Sequence, residues 1–111
     1  RQAYLAVRRR QMEGARFTAL FAISDNMAIG AMRALREAGQ QIPRDCSVIA
    51  IDGLTMSEYI NPTLTTLCQP MEHMGRRSVE ILLDMVEHRG GPIRETAHTT
   101  LRTGESVRDI S

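Results

Sequence analysis

Apolar residues along the chain follow two rhythms. Thr18–Ile23 (TALFAI) and Ser47–Ile51 (SVIAI) are short, nearly unbroken apolar runs of strand length without alternation. Parallel strands covered on both faces read this way. Between them Met27–Ala38 repeats apolar positions at helical spacing, with Ala28, Ile29, Gly30, Ala31, Met32, Ala34 and Leu35. Ser24-Asp25-Asn26 opens that helix, because short side-chain oxygens accept its first unpaired amides. Gly39 stands where helices commonly end. The small residues Gly30, Ala31 and Ala34 suit a helix lying close to a sheet. Strand, helix and strand in about 35 residues predict a right-handed βαβ crossover.

The flanks extend the pattern. Arg1–Gly14 has the composition of the end of an amphipathic helix, stopped by Gly14. A chain that begins inside a helix is expected to be a piece of a longer protein. Asp52-Gly53 turns the second strand, and residues 54–62 are irregular, with a helical turn expected around Met56–Ile60. Leu64–Cys68 is a short β-branched segment. Pro70 suits a first helical position and opens the longest helix, Met71–Glu87, striped by Met71, Met74, Val79, Leu82, Leu83 and Val86. Gly90-Gly91-Pro92 is a turn, Glu95–Leu101 a Thr-rich last strand, and the final residues are expected to fray. The fold class is therefore α/β, a parallel-sheet βαβ arrangement.

Composition narrows the chemistry. The chain has 111 residues, a net charge of +1, and 14 basic residues that are all Arg. Without Lys there is no Schiff-base, phosphate-loop or general-base lysine. The charge balance argues against a nucleic-acid surface in this segment, and Arg8-Arg9-Arg10 reads as a solvated helix face rather than a phosphate contact. Aromatic residues make up 4% and Trp is absent, so the core must be built from aliphatic residues and the seven Met. No run approaches the ~20 apolar residues of a membrane span. Cys46 and Cys68 are too few and too far apart for a zinc site, and free thiols in a reducing compartment fit better than a disulfide. His73, His88 and His98 lie away from the strand ends, and no nucleophile–base pair forms around them. No metal or cofactor is expected, and no enzymatic site is apparent.

What remains is a set of hydrogen-bonding groups at the carboxyl ends of strands, where open parallel sheets bind ligands. Ser24, Asp25, Asp52 and Gln69 suit a polyol or nucleoside, whose vicinal hydroxyls pair with carboxylates and amides. Ser24 and Asp25 serve equally well as plain helix caps, and Gln69 as a cap or hinge residue. Asp52 has little local use except a ligand, since it closes an apolar strand.

The wording of two stretches then matters. SDNMAIGAMRALREAGQQIPRDCSVIAIDG, followed by NPTLTTLCQPMEHMGRRSVEILLDMVE, resembles the effector-binding core of the lactose-repressor (LacI/GalR) family of bacterial transcription regulators. Three motifs carry the resemblance: the SDNMAIGA helix start, the IPRDCSV segment leading to Asp52, and the PTLTTLCQP hinge before the long helix. They lie in order between residues 18 and 88. The resemblance implies the C-terminal part of a two-subdomain, periplasmic-binding-protein-like core. Residues 1–68 would belong mostly to the C-terminal subdomain, 69–95 would pack in the N-terminal one, and 96–111 would form a return strand and tail. It implies an effector held by Ser24, Asp52 and Gln69, with Asp25 and Ile51 close by. It also implies a cytoplasmic homodimer contacting through Ile29, Met32, Met56 and Tyr59, and operator DNA bound only by a separate N-terminal helix-turn-helix. Ile51 stands where many members carry an aromatic, and TTLRTGESV departs from their usual basic ending. The competing readings are a periplasmic sugar-binding protein of an uptake transporter and a small α/β enzyme.

Overall fold

In the computed structural model, which describes residues 1–88 and 90–111, the order is α1 (Gln2–Met12), β1 (Ala19–Ala22), α2 (Asp25–Glu37), β2 (Ser47–Asp52), a 3-10 turn (Thr55–Glu58), β3 (Thr65–Cys68), α3 (Met71–His88) and β4 (Thr100–Arg102). The four strands form one sheet in sequence order. β1 and β2 are parallel, with Ala22 opposite Ala50, and β2 and β3 are parallel, with Asp52 opposite Cys68. This register brings the carboxyl ends of three strands to one edge.

Contacts divide the described residues into two units: residues 1–68 with 101–111, and residues 69–100. In the first, α2 packs on β1 and β2 and against α1. Its core is Ala28, Ala31, Met32, Ala34 and Leu35 against Val48, Ala50, Leu64 and Cys46, all at most 2% exposed. Burying such side chains contributes about 1.5–3 kcal/mol for each of the larger ones. Ala31 and Ala34 face this core as expected. Gly30 does not face the sheet: a Cβ there would lie 3.4 Å from the Tyr4 backbone nitrogen, so it admits α1.

The last strand is shorter than its Thr-rich composition suggested, for only residues 100–102 pair. The tail is not frayed. The buried Ser106 hydroxyl donates to the Val48 carbonyl (2.5 Å) and accepts from the Thr65 amide (2.8 Å). Glu105 donates its amide to the Thr63 carbonyl (2.7 Å) and Gly104 to the Thr65 hydroxyl (2.9 Å).

In the second unit, α3 is amphipathic as its sequence predicts. Val79, Leu82, Leu83 and Val86 are each more than half exposed. Arg77 grips Glu95 with Nε at 2.9 and 3.0 Å from the two carboxylate oxygens. That carboxylate, and Glu80 beside it, hold the Arg77 pKa above its ordinary value.

Candidate functional site

The strand-end edge is assembled around Asp25. Ser24 has an extended backbone and its hydroxyl accepts from the Met27 amide at 3.2 Å, so it is the N-cap of α2. With the cap supplied by Ser24, the next side chain is available for another task. Asp25 turns inward and is fully buried. Its Oδ1 accepts from the Thr66 hydroxyl (2.5 Å) on β3. Its Oδ2 accepts from the Leu54 amide (2.8 Å) and the Ser57 hydroxyl (2.9 Å), both in the loop after β2. A buried carboxylate is tolerated only when its lone pairs are met by donors, and here three donors meet them. Asp25 therefore departs from the expectation of a ligand contact: its oxygens are occupied inside the chain.

Asp52 lies next to this cluster. Its Oδ2 accepts from the Asp25 amide at 3.3 Å. Its backbone has φ 143°, a conformation that L residues rarely adopt. Such strain costs on the order of 1–3 kcal/mol and persists only where the surroundings over-determine it. The following Gly53, at φ 80°, packs so closely on β3 that a Cβ would fall 2.6 Å from the Cys68 sulfur. A side chain larger than hydrogen is thus excluded at Gly53, which fixes the backbone directly after Asp52. Ile51 and Ser24 are partly exposed beside it. Gln69 directly follows β3, is partly exposed, and begins the second unit. Its carbonyl accepts from the Met71 amide at 2.9 Å.

Three residues of this cluster escaped the sequence analysis: Thr66, Ser57 and Arg102. Arg102 pairs with Glu58 (2.6 Å), donates to the Leu54 carbonyl (3.1 Å) and to the Ser57 hydroxyl. No spacing rule would have found them, because they meet only through the fold. Thr66 alone carried a signal, as a polar residue inside an apolar, β-branched strand.

The interface candidates separate. Met56 and Tyr59 are 63% and 82% exposed, and Ile29 is partly exposed. Met32 is 1% exposed and fills the core between α2 and the sheet, so its expected interface role is replaced by packing. Elsewhere, Arg9 and Arg10 both pair with Glu13, at 3.1 and 3.2 Å, on the exposed face of α1. His73, His88 and His98 are exposed on the second unit. Among the described residues no His, Cys, Asp and Glu converge as a metal site, and no helix is long and apolar enough to cross a membrane. Burial pushes the Cys46 thiol pKa up, and both cysteines are free.

Comparison with known proteins gives this geometry a setting. Residues 1–107 match the model of the periplasmic binding protein-like domain. The chain is 39% identical over 106 residues to the HTH-type transcriptional repressor MelR of Bacillus subtilis, covering 96% of this chain and 31% of that protein. It is 41% identical over 92 residues to the HTH-type transcriptional regulator MalR of Clostridium butyricum, covering 83% of this chain and 26% of that one. Among solved structures it superposes on a lac repressor dimer bound to operator and the anti-inducer ONPF (TM-score 0.88, 28% identity, 95% of this chain and 37% of that chain). It also superposes on a complex of the regulator CelR with cellobiose (TM-score 0.86, 33% identity, 94% and 32%). The chain thus spans between a quarter and two fifths of each of these four proteins.

Proposed function

The chain belongs to the LacI/GalR family of periplasmic-binding-protein-like regulators, and from that premise we propose that it is the effector-sensing and dimerising part of a transcriptional repressor. In this reading Ser24, Ile51, Asp52 and Gln69 contact a small sugar or related polyol or nucleoside. DNA is bound by a separate N-terminal helix-turn-helix, the whole acting in the cytoplasm as a homodimer that uses Ile29, Met56 and Tyr59. Effector binding changes operator affinity and involves no turnover.

The observation that carries the reading is the strained Asp52, at φ 143°, held at the carboxyl end of β2 by the Asp25 amide. A backbone kept in an unfavourable region needs a reason, and presentation of a carboxylate to a ligand supplies one. The division of contacts at residues 68/69 and 100/101 supports a reading with two subdomains, in which 69–95 pack in the N-terminal one and 96–111 form the return strand and tail. The relatives support the regulator over a transport protein, being named as transcriptional regulators and repressors.

The test uses the full-length protein. Asp52→Ala should remove the response to effector while operator affinity stays at the parent value. Calorimetry on the same variant checks binding directly, and effector affinity equal to the parent's would overturn the assignment. A secretory leader in place of a helix-turn-helix upstream would favour the transporter reading instead.

A further inference from the structure

We propose that Arg102 is a positioning residue for the ligand-contacting carboxylate of Asp52, acting through Ser57 and Asp25. The inference rests on the assignment of Asp52 above. Arg102 donates to the Ser57 hydroxyl, Ser57 donates to Asp25 Oδ2 (2.9 Å), and the Asp25 amide donates to Asp52 Oδ2 (3.3 Å). A second arm runs through Leu54, the residue directly after Gly53. Arg102 donates to the Leu54 carbonyl (3.1 Å), and the Leu54 amide donates to Asp25 Oδ2 (2.8 Å). Both arms therefore tie the residues that follow Asp52-Gly53 to the Asp25 carboxylate.

The guanidinium suits this task. Its planar fork sets Nη1 on Glu58 while Nη2 reaches the Leu54 carbonyl and the Ser57 hydroxyl, a fixed arrangement that a lysine ammonium does not reproduce. Its side chain is 23% exposed, and its Nε is buried without a hydrogen-bond partner. An ion pair with Glu58 alone would not require burying that donor, because an exposed arginine makes the same pair in water at little cost. The location matters too. Arg102 is the second residue of the stretch that returns to the first unit, and Thr66, which donates to the other Asp25 oxygen, lies two residues before the last residue of the outgoing strand. Both strands that connect the units are thus linked to the Asp25 carboxylate, Thr66 directly and Arg102 through Ser57, while the Asp25 amide holds Asp52.

The experiment uses full-length protein carrying Arg102→Gln or Arg102→Lys. Cellobiose, lactose and ribose are the probes, and calorimetry gives the dissociation constant for whichever binds the parent. Both variants are expected to bind about tenfold more weakly, the scale of one lost hydrogen bond to a charged group. A second readout separates positioning from general destabilisation. Cys68 pairs with Asp52 in the sheet and touches Gly53, whereas Cys46 is fully buried in the core. Iodoacetamide labelling of the variants is expected to accelerate at Cys68 with Cys46 unchanged. Parent-like affinity in both variants overturns the proposal, as does full recovery by Arg102→Lys or equal acceleration at both cysteines. If the parent binds none of the three sugars, it is the sugar reading of the site that fails. The ratio of Cys68 to Cys46 labelling then decides the proposal, and an unchanged ratio overturns it.

Discussion

The Thr66 hydroxyl donates to Asp25 Oδ1 at 2.5 Å, joining the first turn of α2 to β3 across 41 residues of sequence. Both residues are completely buried. Removing one partner leaves the other without compensation, which costs about 1–3 kcal/mol for a buried polar group and more for a charge. Thr66→Val, nearly isosteric, is therefore expected to lower stability by roughly 2 kcal/mol. Asp25→Ala is expected to cost more, because it releases Thr66, Ser57 and the Leu54 amide together. Urea unfolding of the full-length protein measures both. A Thr66→Val midpoint equal to the parent's would show that the bond is not a source of stability.

The βαβ frame was legible because its signals are local and periodic. Unbroken apolar runs marked β1 and β2, and Ser24 and Gly39 bracketed α2. The site was legible only at its ends. Asp25 follows the cap residue and reads as a second cap. Its inward turn depends on Thr66 and Ser57, which arrive from distant segments. Ile29 and Met32 are one helical turn apart and look alike, yet the edge of the core passes between them. Asp52-Gly53 signalled a turn, but its dipeptide does not encode the φ of 143° at Asp52. Glu95–Leu101 has β propensity, and that propensity measures fit to a half-buried surface. Most of its residues are exposed, and pairing is confined to residues 100–102.

Ser106 gives a second stability prediction. Its hydroxyl bridges the Val48 carbonyl and the Thr65 amide inside the protein, at 2.5 and 2.8 Å. Ser106→Ala strands a buried donor and acceptor on two central strands, with an expected loss of about 1–3 kcal/mol. Ser106→Thr retains the hydroxyl but adds a methyl to a fully buried position, so it should not restore the parent. Thermal melting of the three proteins ranks them. A Ser106→Ala protein melting with the parent would mean that the tail contributes no anchoring.

Tyr4, Glu37 and Arg33 predict a pH dependence. The Tyr4 hydroxyl donates to Glu37 at 2.5 Å and Arg33 Nε donates to the same carboxylate at 2.8 Å, with the guanidinium 5.6 Å from the Tyr4 ring centre. The hydrogen bonds from Tyr4 and then Arg33 hold the Glu37 pKa below its ordinary 4.5. The hydrogen bond to Glu37 holds the Tyr4 pKa above its ordinary 10.0. A depressed acid stabilises the fold above its unfolded pKa and loses that effect as pH falls through the folded value. A raised tyrosine stabilises below its unfolded pKa and loses the effect as pH rises through the folded value. The contribution is thus present between 4.5 and 10.0 and fades beyond both. Tyr4→Phe should melt lower than the parent across that window, with the two converging in acid and in strong base. Because the cluster is exposed, added salt should also shrink the difference. A constant offset at all pH values would trace it to lost packing instead.

Tyr59 and Met56 test the proposed dimer. Both are exposed on the loop that the Asp25 cluster anchors, at 82% and 63%, while the neighbouring Ser57 is buried. That contrast turns Ser57 inward and the two apolar side chains toward water. An aromatic and a methionine presented to water fit a surface that another protein covers. Truncating a central interface tyrosine commonly costs 2 kcal/mol or more, so Tyr59→Ala should weaken dimerisation by about thirtyfold. Met56→Glu should act more strongly by placing a charge in the contact. Neither side chain supports the fold of its own chain, so monomer melting is expected to stay near the parent's. Sedimentation equilibrium of the full-length variants measures the association constant. Dimers of parental strength in both would move the interface away from this loop. Loss of association in Met56→Glu alone would place the loop at its rim, where a charge repels but a tyrosine contributes little.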